Sequence, residues 1–215
     1  VGNVGLLFVG AVLFINGMLL LGKVDAKAAA VFNLFVGALQ VLTPTYLIFA
    51  AAGDSREILA VSGIYLFGFT YLYVGIGLLA GLDTTGVGYY SLFVAVAALG
   101  YSFVNFRLFK DYPFGVIWLY WALLWFLFFL LLGLKMDSLR IYTGWVTAIQ
   151  GWVTGAIPAA LLLSGYWVSP TETAIALAVF GVVVFGALWP LTRNSRQPAP
   201  AASAAQAAGS VSAHS

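Results

Sequence analysis

The chain contains no cysteine, and its single histidine, His214, stands in the C-terminal tail. Disulfides and thiol chemistry are therefore excluded, as are zinc sites built on His or Cys. Charge is almost as scarce. Only 7% of the 215 residues are Asp, Glu, Lys or Arg, against roughly 25% in soluble domains. No apolar stretch holds a carboxylate pair or a Ser/His/Asp set, so catalysis has no candidate residues and no cofactor site is indicated. The net charge of +2 is too small and too scattered for nucleic acid. The residues 171–192 contain no lysine, which rules out a retinal Schiff base.

What remains is apolar sequence, 63% of the chain. The charges cluster in short junctions and the tail, leaving charge-free gaps at 1–22, 28–53, 58–82, 84–106, 112–134, 141–171 and 173–192. About 20 apolar residues carry a helix across ~30 Å of hydrocarbon. The expected architecture is an all-α integral membrane protein with seven transmembrane helices, at about 3–22, 28–52, 58–81, 86–106, 113–134, 143–164 and 171–191. These make a transmembrane domain over 1–192, followed by a disordered cytoplasmic tail over 193–215. The first stretch lacks a basic n-region and an A-x-A site, so it reads as a span rather than a signal peptide. Asp25 and Asp83 can cap the second and fourth helices, and Pro113 suits the first turn of the fifth. Ser169-Pro170-Thr171-Glu172 reads as a capping box with Pro170 at the first helical position. Lys23, Lys27, Lys135, Arg140, Arg193 and Arg196 fall on one side, against Arg56, Arg107 and Lys110 on the other. The positive-inside rule then puts the N-terminus outside and the C-terminus in the cytoplasm.

Pumps and ion-coupled transporters place titratable groups inside the bilayer. Here no span carries a charge near its centre, so the solute, if there is one, is neutral. Leu7-Phe8-Val9-Gly10-Ala11-Val12 echoes Leu92-Phe93-Val94-Ala95-Val96-Ala97. A repeat of spans one to three as four to six would be inverted in the membrane, with the pathway between the halves. Two Leu/Val/Phe-rich helices also match through composition alone.

Polar residues inside the spans include Asn16, Asn33, Gln40, Thr70, Thr147, Gln150 and Thr154. For any one of them helix–helix glue is the commoner role. The aromatic residues are more pointed. Trp118, Trp121 and Trp125 fall at i, i+3 and i+7 in the fifth span, and Phe67, Thr70 and Tyr71 share a face of the third. An interfacial belt does not account for a Trp stripe running two turns into a span. A slot of indole and phenol rings would pass a flat, uncharged, hydrogen-bonding solute and reject hydrated ions; core packing between helices is the plainer reading. Pro44 and Pro158 should kink the second and sixth helices.

Several uncommon strings occur in order over residues 4–167: Leu7-Phe8-Val9-Gly10, Asn16-Gly17, Lys23-Val24-Asp25, Asn33-Leu34-Phe35-Val36-Gly37, Leu66 to Tyr73, Gly81-Leu82-Asp83, Tyr90 to Ala95, the Trp stripe and Ile157-Pro158-Ala159. In these the chain resembles the AmiS/UreI family of urea and amide channels. The resemblance implies a homohexamer with one pore per protomer and lipid in the central hole. It further implies a six-helix bundle of two inverted halves, and passive passage of urea or short aliphatic amides to a cytoplasmic urease or amidase. Carried over by position, Leu6, Val9, Leu13, Phe67, Tyr71, Trp121, Leu124 and Trp125 line the pore, and Gln150 stands where the urea channels carry Glu. Asn16, Thr70 and Trp118 join them as candidates. The resemblance also places the protein in a bacterial cytoplasmic membrane.

Three departures qualify it. The junction Ala52-Gly53-Asp54-Ser55-Arg56-Glu57 is short and lacks the His-rich loop of the acid-gated urea channel, so its proton gating does not transfer. Gln150 replaces a carboxylate. A seventh helix and tail are added, as in the amide-transporter branch. Competing readings are an ion-coupled secondary transporter, or a non-transporting subunit that docks a cytoplasmic amidase or urease.

Overall fold

The computed structural model describes residues 2–168 and 170–192. Seven helices are long and apolar enough to cross a membrane: α1 Gly2–Leu20, α2 Ala26–Ala50, α3 Ser55–Ala80, α4 Thr85–Phe109, α5 Tyr112–Gly133, α6 Asp137–Ser164 and α7 Thr171–Thr192. No strand occurs among the described residues. The tail at 193–215, with Arg193, Arg196 and His214, lies outside them, as does Ser169 of the expected capping box.

Short polar residues start the helices. Asp25 accepts from the Lys27 and Ala28 amides at the head of α2, and Asp54 accepts from Arg56 and Glu57 at the head of α3. Asp83 accepts from the Thr85 amide at 2.8 Å, although the residue adjoining α4 is Thr84. Asp111 caps α5 through the Phe114 amide, with Pro113 in the first turn, where a missing N–H costs nothing. Pro170 is not at the first helical position of α7 as the capping-box reading had it. Its ψ of 160° is extended, so the helix begins at Thr171.

Several helices depart from a regular α ladder, and α4 and α5 end in π turns over Asn105–Phe109 and Phe129–Gly133. The sixth contains a wide π turn over Gly151–Ala156 just before Pro158, a proline that cannot supply the next N–H. The third breaks at Gly63 between Ser55–Ser62 and Ile64–Ala80. There the edge of the Trp118 ring fills the place of a Cβ, whose position lies 2.8 Å from Cη2.

Glycine decides which helices touch. A Cβ on Gly10 would run into the Ala156 backbone, and one on Gly17 would lie 2.6 Å from the Ala148 amide, so α1 and α6 meet backbone to backbone. Gly37, Gly68 and Gly75 do the same for α2 against α3, and Gly88 does so for α4 against Gly133 of α5. The most extensive contacts are accordingly α1 with α6, α2 with α3 and α4 with α5. This corrects the three-plus-three repeat. That symmetry would make α5 with α6 the counterpart of α2 with α3, and α3 with α4 the counterpart of α1 with α6. Close pairs recur instead every two helices round the bundle. The echo between the first and fourth spans aligns Gly10 with Ala95, and only the glycine admits a neighbouring backbone.

The seventh helix docks on the same chain's α5 and α6. Tyr120 Oη donates to the Leu177 carbonyl at 2.6 Å and Tyr142 Oη to the Phe185 carbonyl at 3.3 Å. Gly181 lets the Tyr120 ring approach. The far face, including Val182 and Val183, is exposed.

Gly10→Ala should lower the stability of the detergent-solubilised protein by about 1–3 kcal/mol, as overpacking in a tight contact does. Gly100→Ala, at a position with nothing within 4 Å, should leave the thermal midpoint unchanged or slightly raised.

Candidate functional site

A cavity of about 300 Å³ opens at the end of the bundle that carries the α1–α2, α3–α4 and α5–α6 junctions. Its mouth holds Asp83, Thr84 and Arg140. Lys135 joins them by bonding Asp83 Oδ2 at 2.9 Å and Thr84 Oγ1 at 2.8 Å, which ties the α3–α4 junction to the α5–α6 junction. Arg140 pairs with Asp137 at 2.6 Å. Hydrogen bonds from the Thr85 side chain, then from Lys135, hold the Asp83 carboxyl below its ordinary value of 3.8. Asp83 and Lys135 are both exposed, so the link acts as a tether at the rim and adds little stability.

Inward, the cavity wall is Leu13 and Asn16 of α1, Thr70, Tyr71 and Val74 of α3, Val87 and Ser91 of α4, and Trp125 and Phe128 of α5. Of the expected site residues, Leu13, Asn16, Thr70, Tyr71 and Trp125 therefore share one surface. Beyond Trp125 the space is filled by rings. Phe67 stands edge-to-face against Trp121 and Trp125, with both centroid distances 4.7 Å and interplanar angles of 79° and 90°. Trp118 lies against Trp121 at 4.9 Å and stacks on Tyr101 at 4.6 Å. The i, i+3, i+7 stripe of α5 thus converges on one ring of α3.

Threonine fixes the indoles. Trp125 Nε1 donates to Thr70 Oγ1 at 3.2 Å, and Trp121 Nε1 donates to Thr154 Oγ1 at 2.9 Å. Each hydroxyl passes its own proton back along its helix, Thr70 to the Leu66 carbonyl at 2.6 Å and Thr154 to the Gln150 carbonyl at 2.7 Å. Both threonine protons are spent. Thr70 therefore has no proton left to donate to a solute.

Leu6 is partly buried against the core, and Val9 and Leu124 are buried in it. None of the three lines the cavity. Gln150 is fully buried, and both atoms of its carboxamide lack a hydrogen-bond partner. It stands four residues on the mouth side of Thr154, as Trp125 does of Trp121. Each step is about 6 Å, so Gln150 is roughly level with Trp125. The Tyr71 hydroxyl is likewise buried and unpartnered, and Tyr71 lines the cavity. Unpaired polar groups in a low-dielectric interior are costly, which marks these two as groups awaiting a partner.

Sequence reasoning passed over Thr154 as an indole partner and missed the rim residues Asp83, Thr84 and Lys135. The i+4 spacing of Gln150 and Thr154 was available as a signal, but the register of α6 against α5 was not. No cluster of three or more His, Cys, Asp or Glu could hold a metal among the described residues.

The AmiS/UreI family transporter profile matches residues 1–166. The chain belongs to the AmiS/UreI family. It is 53% identical over 185 residues to AmiS2 of Rhodococcus erythropolis, named as a transporter, covering 86% of this chain and 90% of that one. It is 49% identical over 197 residues to a Mycolicibacterium smegmatis protein named as an amidate-substrate transporter, covering 92% of each. The acid-activated urea channel of Helicobacter pylori (strain J99) is 35% identical over 191 residues, covering 76% of this chain and 97% of that one. The cryo-EM structure of the Helicobacter pylori urea channel in its closed state superimposes with a TM-score of 0.70 at 34% identity, covering 78% of this chain and all of the other. AmiS/UreI proteins are transporters or channels, not enzymes, and this chain is a multi-pass membrane protein of that family.

Thr154→Val should keep the helix content and leave the Trp121 indole N–H buried without an acceptor. The expected cost is about 1–3 kcal/mol. It should be seen as a lower thermal midpoint with an altered near-ultraviolet tryptophan circular dichroism signal.

Proposed function

We propose that this AmiS/UreI protein is a passive channel for small neutral amides, acetamide-like aliphatic amides and urea among them. The observation that carries the reading is a ring-filled constriction at the inner end of a cavity whose wall includes the buried, unpartnered Tyr71 hydroxyl, with the buried, unpartnered Gln150 at about the same level of α6. Phe67, Trp121 and Trp125 form flat apolar walls that strip water, so a hydrated ion loses its shell with no replacement. A primary amide or urea is planar and neutral. It can exchange its water bonds for the Tyr71 hydroxyl and the Gln150 carboxamide, and it passes as the Phe67 edge yields between the indoles. Leu6, Val9 and Leu124 would brace this wall from behind.

No acidic or basic side chain is buried among the described residues, which supports passive movement over ion coupling. The Lys and Arg bias between the junctions supports a cavity mouth and C-terminus on the cytoplasmic side, and the bacterial relatives support a bacterial cytoplasmic membrane. The permeant would then be delivered towards a cytoplasmic amidase or urease. The assembly in this reading is a homohexamer with lipid in its central hole and one pore per protomer. Exposed apolar side chains such as Phe35, Phe49 and Phe93 would meet lipid or neighbouring protomers.

Stopped-flow light scattering on proteoliposomes tests the reading with urea, acetamide, propionamide and glycerol. Acetamide and urea should enter at least tenfold faster than in empty vesicles. Trp125→Ala should lower the acetamide-to-glycerol rate ratio several-fold, and Tyr71→Phe should slow acetamide and urea alike. Unchanged rates and ratios in both variants would exclude the aromatic site as the path.

Rates should be equal at pH 7.5 and 5. The Asp83 carboxyl is held below its ordinary value. The rim link is therefore intact above that value and is lost only as pH falls through the lower, folded one. Both test pH values lie above this window. Steep activation at pH 5 would contradict the absence of histidine gating.

A further inference from the structure

Two carboxamide side chains of α2 reach α1, and they differ in kind. Gln40 Nε2 donates to the Gly5 carbonyl at 2.9 Å. That bond joins two helices, and Gln40 does not line the cavity. Asn33 lies two turns away and pairs with Asn16 in both directions. Asn16 Nδ2 donates to Asn33 Oδ1 at 3.0 Å, and Asn33 Nδ2 donates to Asn16 Oδ1 at 2.7 Å. Asn33 also donates to the Ala29 carbonyl at 2.9 Å. A carboxamide has two N–H donors and one two-lone-pair oxygen. Asn33 has spent both donors, which fixes its orientation.

The reciprocal pair closes the same eight-membered ring that two primary amides form with each other. Asn33 therefore occupies the one edge of Asn16 that could hold a primary amide or urea by two bonds at once. Asn16 keeps a single N–H and a single lone pair. It lines the cavity on the mouth side of Trp125, so a solute leaving the constriction meets a group able to offer one hydrogen bond at a time. Conduction requires sites weak enough to release what they bind.

We infer that Asn33 is a positioning residue that keeps Asn16 a single-bond, low-affinity station for the amide solute. The inference rests on the amide-channel reading and adds what sets the affinity at the cavity wall. Freeing the bidentate edge should trap primary amides and urea. It should leave untouched an amide without N–H groups, such as N,N-dimethylformamide.

Concentration-dependent influx into proteoliposomes tests this with acetamide, urea and N,N-dimethylformamide. In Asn33→Leu the half-saturating concentration of acetamide and urea should fall about 3- to 10-fold, the worth of one added hydrogen bond. The maximal rate should fall with it, and N,N-dimethylformamide should be unchanged. Asn33→Ser, which keeps a hydroxyl too short to close the ring, should show the same direction and carries the test if Asn33→Leu does not assemble. The double variant Asn16→Leu/Asn33→Leu should abolish the tightened saturation. A uniform loss for all three solutes together with a lower thermal midpoint would overturn the inference in favour of helix packing, and so would unchanged saturation in both single variants. Wild-type protein that passes no amide above empty vesicles would overturn the channel reading itself, and this inference with it.

Discussion

A polar group inside hydrocarbon has no water to return to, so each must find its partner among the same few helices. Much of this molecule follows from that constraint. The hydroxyls of Thr70 and Thr154 serve two masters, donating to their own helix and accepting an indole N–H from α5. Asn33 satisfies Asn16 and its own α2 at once. Tyr120 and Tyr142 hold α7 by its carbonyls. Against this background the unpaired polar atoms of Tyr71, Gln150, Thr143 and Trp167 stand out, and of these Tyr71 and Gln150 lie at about the level of Trp125.

The second determinant is where side chains are missing. Hydrophobic burial gives little preference among apolar helices in a membrane, so close backbone approach selects partners. Gly10 and Gly17 commit α1 to α6, Gly68 and Gly75 commit α2 to α3, and Gly88 commits α4 to α5. These pairs frame the bundle and leave α1, α3, α4 and α5 to supply the cavity wall. Phe67 can stand between two indoles because Gly63 and Gly68 bring α3 close to its neighbours on either side.

Charge at the ends completes the arrangement. Lys135 bridges Asp83 and Thr84 across two junctions on one side, so the cavity mouth is charged while its interior is not. In the proposed channel a neutral solute would meet a polar rim, then a wall with scattered single hydrogen-bond partners, then rings. That succession suits a molecule that must be attracted, stripped of water and released, and it offers no compensation to an ion.

The spans, their lack of internal charge and the aromatic stripe were legible in the sequence, because hydrocarbon thickness and the 3.6-residue period act on each segment alone. The stripe Trp118, Trp121, Trp125 needed only spacing to be placed on one face. The tertiary structure alone decided that Phe67 stands among those indoles, that Thr154 rather than another threonine holds Trp121, and that Asn16 faces the cavity with its paired edge closed. It also replaced the three-plus-three symmetry with pairs every two helices, since an echo that aligns Gly10 with Ala95 looks like a repeat in letters but not in contacts. Register between helices depends on which small residues meet across segments far apart in the chain, and no single segment carries that information.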